Sequence, residues 1–393
     1  MSRSLLLTPH VSPTPTLDTA LLALIRPTID SALIDAVGWS RIAAVCQRLP
    51  HRVSTFYGFE CRLGDADPHA DLLFSLTRAS DQGAQLLAAV PEQLRGNEPT
   101  ATTAWQAVAR FLAAWRTPGH CLAQTDRLWV ELDCASSARP APCFFFGLDA
   151  EHTIDQRIDC VLSALTLLRH APPSVALQQA LAAALAYLPT TAWPFQVGCM
   201  LGRGDAGVRL CVRGLAVDTA LDWLAQAGWS GRLDGLRAAL DTYAPLVASF
   251  DLDVDLGADG ALAERIGIEL ACTPVGAEQA DASAVLDQLV AAQLCTPAQA
   301  AALRRYPAYE SAAAAQQTRW PDGPPASSAL LAYRLIPVLI RYVNHIKLGW
   351  SGGRITDAKA YLAVSHEQCA WSAALHDRQV LNQSHQSAPA HCR

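Results

Sequence analysis

The sequence predicts an α+β fold: a ten-stranded antiparallel β-barrel of five helix–strand–strand–helix repeats, with helices outside and a polar lumen. Three observations predict it. Paired strand-like runs recur five times, near residues 51–79, 127–149, 194–213, 249–272 and 342–365. The stretches between the pairs read as helix. The strands at 128–134, 250–256, 265–270, 345–348 and 358–364 alternate apolar and ionisable residues with period two, so one face of the sheet is greasy and the other charged.

The alternation alone also fits an antiparallel sandwich with its polar face in water. The helices decide the matter, because they must pack on something and the apolar strand face buries the most surface. A sheet closed with helices outside turns its charged face inward. About eight strands are already filled by their own side chains, so ten leave a chamber.

The elements follow in order. A helix is expected from about 17 to 47, ahead of the first hairpin with its run FYGFECRLGD at 56–65. Residues 82–116 hold two helices broken near Gly96-Asn97-Glu98-Pro99, and 152–187 two more broken at Pro172-Pro173. Residues 215–246 split near Gly228 to Gly231. Residues 280–305 split at Thr296-Pro297, a good N-cap followed by proline at the first helical position. A looser stretch, 306–326, leads to a helix at about 327–341. Gly202-Arg203-Gly204-Asp205 and Ser351-Gly352-Gly353 are tight-turn signals for the third and fifth hairpins.

Composition excludes several classes. Net charge is −6 with no basic run, which argues against a nucleic-acid partner. No stretch approaches a membrane span, and the three-leucine run near the N-terminus is too short for a signal-peptide core, so the expected location is cytoplasmic. The 12 cysteines stand singly, without CxxC or paired Cys/His spacing, as small buried residues in a reducing compartment do. Residues 17–371 read as one domain between an N-terminal tail (1–16) and a C-terminal tail (372–393).

The charged strand face carries the candidate chemistry. Glu60 and Arg62 share a face of the first strand. Trp129, Glu131 and Asp133 share one in LWVELDC, and Asp251, Asp253 and Asp255 alternate with apolar residues in FDLDVDL. Arg265 and Glu269 do so in RIGIEL, His345 and Lys347 in HIKL, and Lys359 and Tyr361 in AKAYLAV. Of 30 basic residues only Lys347 and Lys359 are lysine, and both lie in the last hairpin, at or near cross-strand register. Two ammonium groups this close need anions nearby. Lumenal carboxylates would give a salt-bridge lattice. A diphosphate would sit between Arg209, Arg213, Arg265, Lys347, Lys359 and Tyr361, since lysine is a compact phosphate donor and arginine a bidentate one. Trp129 and the run Phe144-Phe145-Phe146 are either plain core or aromatic walls able to shield a carbocation. Asp251, Asp253 and Asp255 could bridge a magnesium ion to a phosphate, so Mg2+ is allowed but no cofactor is required. No P-loop, GxSxG, HExxH or dinucleotide loop is present.

Five such repeats closing a ten-stranded barrel resemble the aromatic prenyltransferases of the ABBA, or PT-barrel, type, over about residues 17–370. These include dimethylallyltryptophan synthases and the enzymes that prenylate ribosomal peptides. The resemblance implies transfer of a short allyl group, dimethylallyl first, from its diphosphate to an aromatic small molecule or a peptide. Glu60 in GFECRLG matches the glutamate that takes the acceptor's proton. Arg209 and Arg213 in VRLCVRG, and Lys359 and Tyr361 in AKAYLAV, resemble strands that hold the diphosphate, with Lys347 and Arg265 beside them. Cys143 and Phe145 stand where a Lys-x-Tyr pair is expected. The acidic lumen keeps a second reading open: a barrel without transferase activity that binds a cationic metabolite or peptide, or does acid/base chemistry with its aspartates.

Overall fold

A computed structural model describes residues 22–50, 53–64, 68–78, 81–88, 99–135, 140–149, 151–202, 207–272, 282–311 and 335–370. The tails, the turn at 203–205 and the break at 96–98 lie outside these residues. The strands are β1 (Phe56–Leu63), β2 (Ala70–Thr77), β3 (Arg127–Leu132), β4 (Pro142–Gly147), β5 (Trp193–Met200), β6 (Val208–Arg213), β7 (Phe250–Leu256), β8 (Leu262–Ala271), β9 (Ala308–Ser311), β10 (Leu335–Ser351) and β11 (Arg354–Ala370). Each pairs antiparallel with the next from β1 to β8; β8 pairs with β10, β10 with β11, and β11 returns to β1. The ring of ten is closed, and β9 is an extra strand on the overhanging start of β10.

The helices interleave with the hairpins. They are α1 (Ala23–Ile25), α2 (Ala36–Cys46), α3 (Asp81–Ala88), α4 (Pro99–Arg116), α5 (Ile154–Arg169), α6 (Val175–Ala186), α7 (Val217–Gln226), α8 (Leu233–Tyr243), α9 (Ser283–Ala291) and α10 (Pro297–Arg305). Their starts carry the expected chemistry. Thr296 closes a capping box with Gln299 ahead of Pro297, and Thr153 does so with Gln156.

The apolar strand face is the outer one. Phe59, Phe74, Val130, Phe144, Phe146, Leu210, Leu252 and Ile268 are fully buried under the helices. Trp39 of α2 meets Phe59 edge-on at 5.4 Å, and Phe111 of α4 meets Phe144 at 4.8 Å and Phe146 at 5.3 Å. Each fully buried ring of this kind contributes about 1.5–3 kcal/mol. Phe144 and Phe146 are therefore core, while Phe145 faces the lumen.

Two expectations are corrected. The helix expected at 327–341 is strand from Leu335 onward, where β10 pairs with β11 and, over Val338–Arg341, with β9; residues 327–334 lie outside the described set. The continuous helix expected at 17–47 is interrupted. A 3-10 turn at Arg26–Thr28 carries Pro27, and α2 restarts after Asp35, whose carboxylate accepts the Gly38 N–H at 2.6 Å.

Candidate active site

β11 lies between β1 and β10, and the register aligns their lumenal residues in rows. Glu60, Tyr361 and His345 form one row, and Arg62, Lys359 and Lys347 the next. The lysine pair is thus in direct register, as the turn predicted. Carboxylates from both sides hold it. Lys359 donates to one oxygen of Glu60, and the Tyr361 hydroxyl donates to the other. Lys347 donates to Asp253 and, at 3.3 Å, to Glu269. The Tyr361 ring stacks on His345 with centroids 4.1 Å apart.

Two glycines make room for these contacts. Gly267 on β8 is paired with Gly349 on β10 and with Asp253 on β7. A Cβ at Gly267 would lie 2.9 Å from Asp253 Cβ and 2.9 Å from Lys347 Cε. Bare backbone at this point lets Lys347 cross β8 to reach Asp253. Gly349 does the same for Arg265 and Asp357, which bond across it at 2.7 Å. Arg209 grips Asp255 with two bonds of 2.7 and 2.8 Å, and Arg213 grips Asp251 at 2.7 Å.

Inside the barrel these residues enclose a chamber of about 130 Å³. Of the residues singled out in the sequence, its walls hold Glu60, Glu131, Arg209, Asp253, Asp255, Arg265, Lys347, Lys359 and Tyr361. Arg213 is set apart, its guanidinium 4.0 Å above the Phe195 ring. Asp251, Glu269 and His345 are not among the wall residues; Asp251 holds Arg213, Glu269 accepts from Lys347, and His345 stacks on Tyr361. Trp129 meets Phe56 edge-on at 5.0 Å, and Arg62, Trp129 and Asp133 are not among the chamber's wall residues. Asp357 and Asp71 were missed. Both continue an alternation already visible, Asp357 ahead of Lys359 and Tyr361, and Asp71 ahead of Leu73 and Ser75.

Burial sets the protonation states. It works against the Glu60 charge, but Lys359 and Tyr361 overcome it and hold the carboxyl at about 2. Glu131 has no such partner; burial, then the Glu60 charge, push it up to about 7. Burial and Glu60 raise Asp71 to about 6, and burial raises Asp251 to about 6 despite Arg213. His345 is pushed down to about 3 by burial and Lys347, so it is neutral. Burial opposes the Lys347 charge, but Asp253 and Glu269 keep the ammonium firmly protonated. Asp251, Asp253 and Asp255 each serve a different cation, and among the described residues no three His, Cys, Asp or Glu side chains converge on a metal position. The aspartate row does not fit a magnesium ion as it stands.

The closed ring of ten antiparallel strands, the helical jacket and the ionisable lumen define a PT-barrel fold. The solved structure described as 6-dimethylallyl tryptophan synthase superposes with a TM-score of 0.51 at 14% identity, covering 88% of this chain and 96% of that chain. Prenyltransferase PriB in its apo form gives 0.48 at 15% identity over 84% and 90% of the two chains. The 5-dimethylallyltryptophan synthase of Streptomyces coelicolor gives 0.46 at 13% over 85% and 93%. No protein-family model and no curated protein matches the sequence. Among the described residues no helix is long and apolar enough to cross a membrane.

Proposed function

We propose that the chain transfers a short allyl group, dimethylallyl first, from its diphosphate to an electron-rich aromatic or heteroatom acceptor, free or within a peptide. The observation that carries this reading is the convergence of Arg209, Arg265, Lys347, Lys359 and Tyr361 on one chamber inside a PT-barrel. The name of the 6-dimethylallyl tryptophan synthase supports both the donor and the aromatic class of acceptor.

The chemistry asks for a leaving group stabilised as its charge develops, which preplaced cations supply without reorganisation. Each cation here already holds a carboxylate, so the diphosphate must take Arg209, Arg265 and Lys347 over from Asp255, Asp357 and Asp253, while Lys359, with three N–H donors, can serve Glu60 and a phosphate oxygen together. A polyanion competes well for several cations at once, whereas a monoanion does not. The chamber, about 130 Å³ in volume, must also widen as the donor enters; pockets that enclose organic ligands span about 300–1,000 Å³. Arg265 and Asp357 are the more exposed pair, with side chains 47% and 36% accessible, and form the side that opens most readily.

Diphosphate release from dimethylallyl diphosphate, measured with a panel of indoles, phenols and peptides, tests the reading. Lys359→Ala is expected to weaken donor binding about ten- to a hundredfold, the worth of one charge-assisted contact of about 1.5–3 kcal/mol. Unchanged donor affinity in that variant would remove the assignment. A second reading rests on the same salt bridges: with its cations neutralised from within, the lumen would bind a cationic metabolite or peptide without transfer. Salt-sensitive binding of such a ligand, together with no diphosphate release, would favour it.

A further inference from the structure

We propose that Glu131, not Glu60, accepts the proton from the acceptor, and that Glu60 is a positioning residue for Lys359 and Tyr361. This rests on the prenyl-transfer reading above. The resemblance assigns the base to Glu60, but the contacts in the chamber divide the two carboxylates differently. Both oxygens of Glu60 are occupied, one by the Lys359 ammonium and one by the Tyr361 hydroxyl. A carboxylate so engaged keeps one lone pair on each oxygen, but the two bonds it accepts hold its basicity low.

Glu131 lies in the same wall. Its register neighbours on the flanking strands are Leu73 and Cys143, so neither flanking position places a cation beside it. Among the described residues it makes no hydrogen bond or ion pair. The charges that act on it come from Glu60, Lys347, Arg209 and Lys359. Glu131 therefore borders the space in which those three cations would hold a diphosphate, with its oxygens free. Its proton affinity sits at about 7, which suits a base working near neutral pH. Aromatic rings flank it along β3 and β4: Trp129 two residues before it and, paired with Trp129, Phe145.

The step balances without a co-reactant. The allyl C–O bond breaks and its electron pair leaves with the diphosphate. A π pair of the acceptor ring forms the bond to the allyl carbon. The Glu131 carboxylate then takes the proton from that ring carbon, and the C–H pair restores the aromatic ring. A heteroatom acceptor gives up its N–H or O–H proton to the same carboxylate. The carboxylic acid afterwards loses its proton to solvent.

Two readouts test the assignment. In the first, turnover is followed against pH with dimethylallyl diphosphate, alongside binding of the unreactive dimethylallyl thiolodiphosphate. Wild-type kcat should rise with pH through about 7. Glu131→Gln should lose about a hundredfold in kcat and the pH-dependent limb, with analogue affinity changed less than threefold. Glu131→Asp should keep the limb at reduced rate. Glu60→Gln should weaken analogue binding but retain the limb. Loss of the limb in Glu60→Gln, or its survival in Glu131→Gln, overturns the proposal. The second readout needs no activity: an infrared carboxylic-acid band that titrates near neutral pH and disappears in Glu131→Gln supports it, and absence of that band overturns it. Failure of the wild type to release diphosphate with any acceptor would sink the prenyl-transfer reading, and the infrared titration would then decide the location of the proton-accepting group alone.

Discussion

At the scale of single residues, the chamber depends as much on missing side chains as on charged ones. Gly267 and Gly349 face each other on neighbouring strands, and each lets a cation reach over bare backbone to an aspartate. Gly267→Ala is expected to destabilise by about 1–3 kcal/mol, the usual cost of overpacking. The new methyl would meet Asp253 Cβ, which moves only with its strand, and Lys347 Cε, which can swing away. The Lys347–Asp253 bond would then lengthen or break, leaving a deeply buried carboxylate short of its cation. Urea denaturation should show a lower midpoint with an unchanged slope. A midpoint equal to that of the wild type would mean that Lys347 does not cross Gly267.

At the scale of elements, the hairpins were legible and their partners only partly so. The period-two alternation of apolar and ionisable residues marked β3, β7, β8, β10 and β11 because one face meets helices and the other meets charges. By contrast, β4 and β5, PCFFFG and WPFQVGCM, carry no such alternation and were read as strands from their place in the repeat. The turn between β10 and β11 was legible for a different reason: Gly352 and Gly353 both take positive φ, 61° and 83°, which a two-residue turn of the primed type demands. Gly353→Val is therefore expected to cost about 1–2 kcal/mol through backbone strain, and Gly352→Asn less, since asparagine tolerates that conformation. Thermal unfolding of the two variants should rank them in that order; equal melting temperatures would mean that the turn is not held as described. The start of β10 was misread because Leu335-Ile336-Pro337-Val338-Leu339-Ile340 is a short apolar run, which periodicity cannot assign. Only its pairing with β11 and β9 makes it strand. The site was legible in the same measure. Alternation placed Glu60, Lys347, Lys359 and Asp253 on the inner face, but which carboxylate meets which cation depends on register and on Gly267 and Gly349.

At the scale of the whole molecule, enclosing so many carboxyl groups gives stability an uncommon pH dependence. A carboxyl whose pKa is raised by folding is held protonated more tightly in the native state. Its contribution is complete below the unfolded value and is lost as pH rises through the native one. Asp71 and Asp251, at about 6 against 3.8, and Glu131, at about 7 against 4.5, all act in this sense. His345 and Glu60 oppose them, as does Asp357, whose partial burial is outweighed by Arg265 so that it is lowered from 3.8. His345, lowered to about 3 from 6.5, stabilises as pH rises across that interval, and Glu60, lowered to about 2 from 4.5, does so only below the range in which Asp71, Asp251 and Glu131 all titrate. Asp253, also raised by burial, acts in the same sense as Asp71, Asp251 and Glu131. Between about pH 5 and 6 these carboxyls outweigh the one histidine, and Glu131 goes on releasing its proton above pH 6.5. Stability should therefore fall by about 1–3 kcal/mol from pH 5 to pH 7.5. Melting temperatures in buffers of equal ionic strength check this, and Asp71→Asn should flatten part of the slope. A protein more stable at pH 7.5 than at pH 5 would mean that these carboxyls are hydrated rather than walled in. The salt-bridged lumen would then be open to water, and a cation formed there would have no shelter from it.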